Sequence, residues 1–178
     1  SHISVHAPGA FDKELEPNVI EQLTNFTERG WPIIVHPNAI YDYDKWTQLG
    51  NLLLIENMDK RKPIGRSVDE LEQIFSKLPE ARLCFDIAHA RQFDSSMTEA
   101  YLILKRFGHL IGQVHISEVG TQSGHVRISS AAIHDYQEVA SLIPNNAPII
   151  LEVPATKESI QKEIQTAIKA LQPICDQL

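Results

Sequence analysis

Short apolar runs recur along the chain: Ile3-Ser4-Val5, Ile33-Ile34-Val35, Leu52 to Ile55, Leu83-Cys84-Phe85, Gly112-Gln113-Val114 and Ile149-Ile150-Leu151. Each has the length of a buried strand, and each is closed at once by a polar residue: His6, His36, Glu56, Asp86, His115 and Glu152 in turn. Between the runs, apolar residues fall at spacings of three and four. Glu14 to Arg29 places Leu15, Val19, Leu23 and Phe26 on one helical face, and Gly30 follows as a stop. Thr98 to Phe107 does the same with Tyr101, Leu102 and Lys105 and ends at Gly108. Ser67-Val68-Asp69-Glu70 opens a helix over Val68 to Leu78 and reads as a capping box, serine and glutamate each satisfying a bare amide of the first turn. Ala131 to Leu142 and Lys157 to Leu171 are further helices, and Ala39 to Leu49 is a weaker one. Strand and helix alternate throughout, which implies parallel strands joined by helical crossovers.

The closing residues lie 30, 20, 30, 29 and 37 positions apart, about one strand-plus-helix unit of roughly 30 residues each time. Alternate residues of a strand share a face. His2, Ser4 and His6 therefore lie together, as do Ile34 with His36, Leu52 and Leu54 with Glu56, Cys84 with Asp86, Gln113 with His115, and Ile150 with Glu152. These line an interior, while Ile3, Val5, Ile33, Val35, Leu53, Ile55 and Leu151 face helices. The expected fold is α/β, a (β/α)₈ TIM-type barrel. Such a barrel has eight strands in roughly 250 residues; here only six βα units are evident. We expect a single domain over residues 1–178 lacking two N-terminal units, about 60 residues by the same unit length. The strand at Ile3 to His6 is then an edge needing a cover or a partner.

Composition narrows the class. The chain has 178 residues, 43% of them hydrophobic and 22% charged, which suits one soluble core. No apolar run approaches the roughly 20 residues of a membrane span, and no segment reads as a signal peptide; a cytoplasmic location is the default. Cys84 sits in a strand pattern and suits a buried, reduced thiol. The net charge of −7 makes nucleic acid the less favoured partner. A Walker loop, a dinucleotide fingerprint and a nucleophile elbow are all missing. Trp31, Trp46 and the tyrosines are dispersed, unlike a stacking groove for single strands.

Histidine, glutamate and aspartate are nitrogen and oxygen ligands for divalent ions, and parallel strands bring their carboxyl ends to one mouth. Any one of these residues alone has an ordinary reading as a hydrogen-bonded rim residue. Six at corresponding strand ends point to a metal site of one or two ions, with Glu56 shared. The residues that carry this pattern also carry a resemblance: Ser4-Val5-His6-Ala7-Pro8, Val35-His36-Pro37, Ile55-Glu56-Asn57, Phe85-Asp86-Ile87-Ala88-His89, Val114-His115-Ile116-Ser117 and Leu151-Glu152-Val153. As a set they resemble the xylose isomerase-like barrel superfamily, which holds sugar-phosphate isomerases and epimerases together with the endonuclease IV group of repair nucleases.

That resemblance places the six strands as the third to eighth of a barrel. It implies Glu56, Asp86, His115 and Glu152 as ligands of one ion, and His6 and His36, sharing Glu56, as ligands of another in the nuclease group. It also implies His89 as a ligand of a third ion there and lays His125 on the histidine of an Asp-x-His motif, with Ser123 where the aspartate stands. The ion would be Mn²⁺, Zn²⁺, Co²⁺ or Mg²⁺. Epimerase relatives exchange a substrate proton through glutamates at the positions of Glu56 and Glu152, across a metal-stabilised enediolate.

Lys60, Arg61, Lys62 and Arg66 follow Glu56 on a loop that opens at the same mouth, and Arg91 and Arg127 follow other ligand strands. Lys60, Arg66, Arg91 and Arg127 are therefore candidates for holding a substrate phosphate, against the plainer reading of solvated loop cations. His2 reads as packing, and His109 and His134 as surface residues. The leading expectation is a metal-dependent sugar or sugar-phosphate isomerase or epimerase acting on a small molecule. An endonuclease IV-like zinc phosphodiesterase acting on abasic DNA is the alternative, and a non-catalytic metal-binding barrel, or a homo-oligomer built from it, a further one.

Overall fold

The alternation of apolar runs and amphipathic segments folds as a curled parallel sheet under a layer of helices. The computed structural model describes residues 2–120 and 124–173. Strands β1 (Val5–His6), β2 (Ile33–Val35), β3 (Leu53–Glu56), β4 (Arg82–Asp86), β5 (Ile111–Ile116) and β8 (Ile149–Leu151) lie in the order β1-β2-β3-β4-β5-β8, every neighbouring pair parallel. The crossovers carry α1 (Glu16–Thr27), α2 (Tyr43–Trp46), α3 (Val68–Lys77), α4 (Ile87–Phe93) with α5 (Thr98–Phe107), and α6 (Ser130–Val139); α7 (Ile160–Ala170) follows β8. A small antiparallel ribbon, β6 (Glu118–Val119) with β7 (His125–Val126), projects beyond β5. Among the described residues no pairing joins β1 to β8, so the sheet is open between them.

Strand parity sorts the core as the alternation predicts. Ile33, Val35, Leu53, Ile55, Leu83, Phe85, Val114 and Ile116 belong to the cluster under the helices, whereas Ile34, Leu54 and Cys84 form a separate cluster inside the curl. The curl is tight enough that His2, ahead of β1, bonds across the interior to Gln113 of β5 at 2.7 Å. A bulge between Leu83 and Cys84 sets Leu83 opposite Ile111 and Cys84 opposite Gln113, leaving Gly112 as the extra residue. A Cβ on Gly112 would stand 3.0 Å from Leu54 Cδ2, a tight approach in which the Leu54 side chain would have to give way.

Several local expectations change on inspection. Gly30 does end the α1 region, at φ 72°. Ser67 does cap α3 by accepting from Glu70 N, but the glutamate reaches Arg66, taking its backbone N–H at 2.8 Å and its guanidinium at 2.5 Å. The capping box is thus half formed, because an arginine one residue earlier offers Glu70 a charged partner. The helix expected over Ala39 to Leu49 is broken: Ile40 is extended and only Tyr43–Trp46 is α-helical, with 3₁₀ turns at Pro37–Ala39 and Thr47–Leu52. What holds this segment is Glu16, whose Oε1 accepts from Tyr41 N, Asp42 N and the indole of the fully buried Trp46. The helix α4 was not anticipated, since Asp86 reads as a ligand; its Oδ1 also caps α4 by accepting from His89 N at 2.8 Å.

Gly112→Ala should destabilise the chain by about 1–3 kcal/mol through overpacking against Leu54. Gly124→Ala, where nothing lies within 4 Å of the added carbon, should show no such packing loss in urea denaturation.

Candidate metal and catalytic site

Because each crossover returns the chain to the same end of the sheet, the polar residues that close the strands meet at its carboxyl mouth. Glu56 is the centre. It is 1% exposed, and its Oε2 lies 3.0 Å from His6 Nε2 and 3.2 Å from His36 Nε2. Its Oε1 lies 3.3 Å from His115 Nδ1 and 3.4 Å from His89 Nδ1. His115 Nδ1 is also 3.2 Å from Glu152 Oε1, and His125 Nε2 stands 3.6 Å from Glu152 Oε2. Five of the eight histidines therefore gather on two glutamates and Asp86, far beyond what composition alone would place there.

The supporting contacts are equally specific. Asn57 bridges β3 to β4, donating to Asp86 O at 2.8 Å and accepting from Asp86 N at 2.7 Å. That fixes the backbone from which the Asp86 carboxylate projects. His6 Nδ1 contacts Ala7 O at 2.7 Å, His89 Nδ1 contacts Asn57 O at 3.0 Å, and Ser117 Oγ meets His125 Nδ1 at 2.8 Å. Gln113, 1% exposed, stands between His115 Nε2 at 2.6 Å and His2 Nε2 at 2.7 Å. The exposed His2 is thus linked through the buried Gln113 to the site.

The electrostatics follow from burial against neighbours. Burial opposes ionisation of Glu56, but hydrogen bonds from His115, His36 and His6 outweigh it and hold its carboxyl well below the usual range. Asp86 goes the other way: burial and the negative charge of Glu56 raise it despite the opposing pull of His89. Burial disfavours the charged forms of His6, His89 and His115, yet neighbouring acids raise His6 and His89, and the contact with Cys84, followed by Glu152 and Glu56, raises His115. Burial itself pushes Cys84 up to about 12, so it stays a thiol.

At the mouth two sets of donors, sharing Glu56, each converge within 4.8 Å: Glu56, Asp86, His115 and Glu152, and His6, His36 and Glu56. Asp86 Oδ2 and Glu152 Oε2 are buried without a hydrogen-bond partner. Buried carboxylate oxygens left bare are costly. The donor set of three carboxylates and one imidazole suits Mn²⁺, Co²⁺, Zn²⁺ or Mg²⁺, and the orphaned oxygens fit a cation between them. A cavity of 330 Å³ opens over the cluster, lined by His6, His36, Glu56, Asp59, Lys62, His89, His125 and Glu152.

The candidate phosphate-binding cations are placed differently. Arg66 is held by Glu70, Arg91 by Glu118 and Asp135, and Arg127 by Glu163. Lys60 donates its backbone N–H to Gln92, and it is Lys62 that lines the cavity. Ser123 lies outside the described residues. Sequence reasoning did not single out Asn57, Asp59, Gln113 or Ser117 for the site. Asn57 was legible beside Glu56, but its bridge to Asp86 depends on strand register.

A family described as xylose isomerase-like TIM barrel matches residues 43–174. Among solved structures, the chain is similar to the apo form of the 3-keto-D-glucoside 4-epimerase YcjR from E. coli, with a TM-score of 0.57 and 10% sequence identity over 96% of this chain and 76% of that one. Comparison with curated proteins gave no match.

Gln113→Leu should lower divalent-metal affinity by about 10–100-fold, the usual consequence of losing the partner that orients a histidine ligand. Calorimetric titration of Mn²⁺ or Zn²⁺ into the metal-stripped variant measures this, with circular dichroism to verify folding.

Proposed function

The chain belongs to the xylose isomerase-like TIM barrel family, and from that premise we propose that it is a divalent-metal-dependent isomerase or epimerase of a sugar or sugar phosphate. The observation that carries this reading is the convergence of Glu56, Asp86, His115 and Glu152 with two bare carboxylate oxygens among them. Those four residues would hold the ion. The chemistry an ion supplies when bound there is polarisation of a substrate carbonyl and its neighbouring hydroxyl.

The side chains divide the remaining work. Glu152 lies at the lip of the mouth, with 23% of its side chain exposed against 2% for Glu56, and it lines the cavity. It is the carboxylate better placed to take the proton from the carbon beside a carbonyl and to return it. Glu56 closes the floor and is contacted by His6, His36, His89 and His115, an arrangement that suits a ligand and a second proton acceptor on the opposite face. Lys62 and the imidazoles of His6 and His125 line the walls, where sugar hydroxyls would find donors and acceptors. A keto-sugar is the substrate class suggested by the E. coli epimerase.

One observation favours a second reading. His6 and His36 form a second donor set that shares Glu56, and His89 and His125 approach with ring centroids 5.8 Å apart; such an imidazole-rich cluster also suits an endonuclease IV-like zinc phosphodiesterase.

Incubated with Mn²⁺, keto-sugars or ketose phosphates and deuterated water, the chain should wash deuterium into the carbon beside the carbonyl. Glu152→Gln should slow that exchange about 10²–10⁴-fold, and chelation should abolish it. Turnover without exchange, or cleavage of an abasic-site duplex that is lost on chelation and restored by Zn²⁺, would replace this reading with a hydride shift or with the phosphodiesterase.

A further inference from the structure

Of seven arginines in the chain, five are engaged by carboxylates: Arg61 by Asp59, Arg66 by Glu70, Arg91 by Glu118 and Asp135, Arg106 by Glu72, and Arg127 by Glu163. The other two, Arg29 and Arg82, have no carboxylate partner among the described residues. Both line the same cavity. It measures 590 Å³ and lies at the amino ends of the strands, between Ile3, Trp31, Leu52, Ile111 and Pro148. Among the described residues, His2 and Asn146 also line it and no aspartate or glutamate does.

That segregation is unusual for this molecule, whose 23 acidic residues outnumber its 16 lysines and arginines. The opposite mouth is lined by Glu56, Asp59 and Glu152. A guanidinium carries five N–H donors in a fixed fork. Arg82 is half-buried and gives one of them to Ile111 O at 2.7 Å, so most of its fork is free to receive planar oxygens. Arg29 lies over the Trp31 ring, 5.2 Å from its centroid, which restrains an otherwise mobile side chain. A half-buried guanidinium such as that of Arg82 is costly without a counter-charge, and an acid-free recess strengthens the pull of both arginines on an anion.

We propose that this cavity is an anion-binding site for a compact phosphate- or carboxylate-bearing small molecule, held by the forks of Arg82 and Arg29 with His2 as a further donor. Its position beneath the sheet separates it from the metal mouth, so it serves a ligand other than the one undergoing reaction. The volume admits a molecule larger than a bare ion. Charge-assisted hydrogen bonds from two guanidinium groups supply the selectivity.

The test is calorimetric titration of inorganic phosphate into the full chain, stripped of metal and dialysed free of chelator. We expect saturable one-to-one binding, weakened about tenfold or more by Arg82→Gln and separately by Arg29→Gln, the loss of one charge-assisted contact each. Arg29 is exposed, so its substitution keeps the test valid even if Arg82→Gln disturbs the fold through the lost Ile111 contact. Competition by glycerol phosphate assigns the anion to phosphate esters and competition by succinate to carboxylates; either outcome supports the site. Absence of saturable binding overturns the proposal, as does binding unchanged in both arginine variants or lost only with Lys62→Gln at the other mouth.

Discussion

A carboxylate taken out of water must be met by opposite charge or by hydrogen bonds, and the mouth of this barrel is organised around that requirement at Glu56. Its two oxygens are approached by imidazoles from β1, β2, α4 and β5 or the residues beside them. Those contacts stitch together the carboxyl ends of strands that the sheet hydrogen bonds join only laterally. Asp86 lies at the same mouth without equal compensation, which is why the two neighbouring acids shift in opposite directions. The imbalance marks Asp86 as the carboxylate whose ionised form is least supported at this mouth.

Much of this was legible in the chain because parallel-strand geometry converts sequence period into place. Apolar runs closed by His6, His36, Glu56, Asp86, His115 and Glu152 needed only the rule that all crossovers return to one end. Parity separated Ile34, Leu54 and Cys84 from the helix-facing set for the same reason. The features that escaped are those where one residue serves two masters. Asp86 was read as a ligand and is also the cap of α4. Arg66 and Arg91 read as candidate substrate cations against the plainer reading of loop cations, and in the structure their charges are drawn to Glu70, Glu118 and Asp135, partners fixed by helix ends and by the ribbon after β5. Pairing of surface charges depends on tertiary approach, which no local pattern encodes. The break within residues 39–49 likewise follows from the distant Glu16.

The two mouths of the sheet have opposite character. Histidines and acids crowd the carboxyl end; arginines without acids occupy the amino end. In a barrel the first arrangement follows from loops that carry chemistry and the second from turns that close the scaffold.

Between those ends runs a single buried amide. Gln113 touches His115 with one terminal atom and His2 with the other, and an amide has one side that gives a proton and one that receives it. Whichever ring nitrogen of His115 carries hydrogen dictates which way that amide faces, and the same half-turn dictates what His2 is offered. The amide of Gln113 thus ties the proton arrangement at His115 to that at His2 through side chains alone.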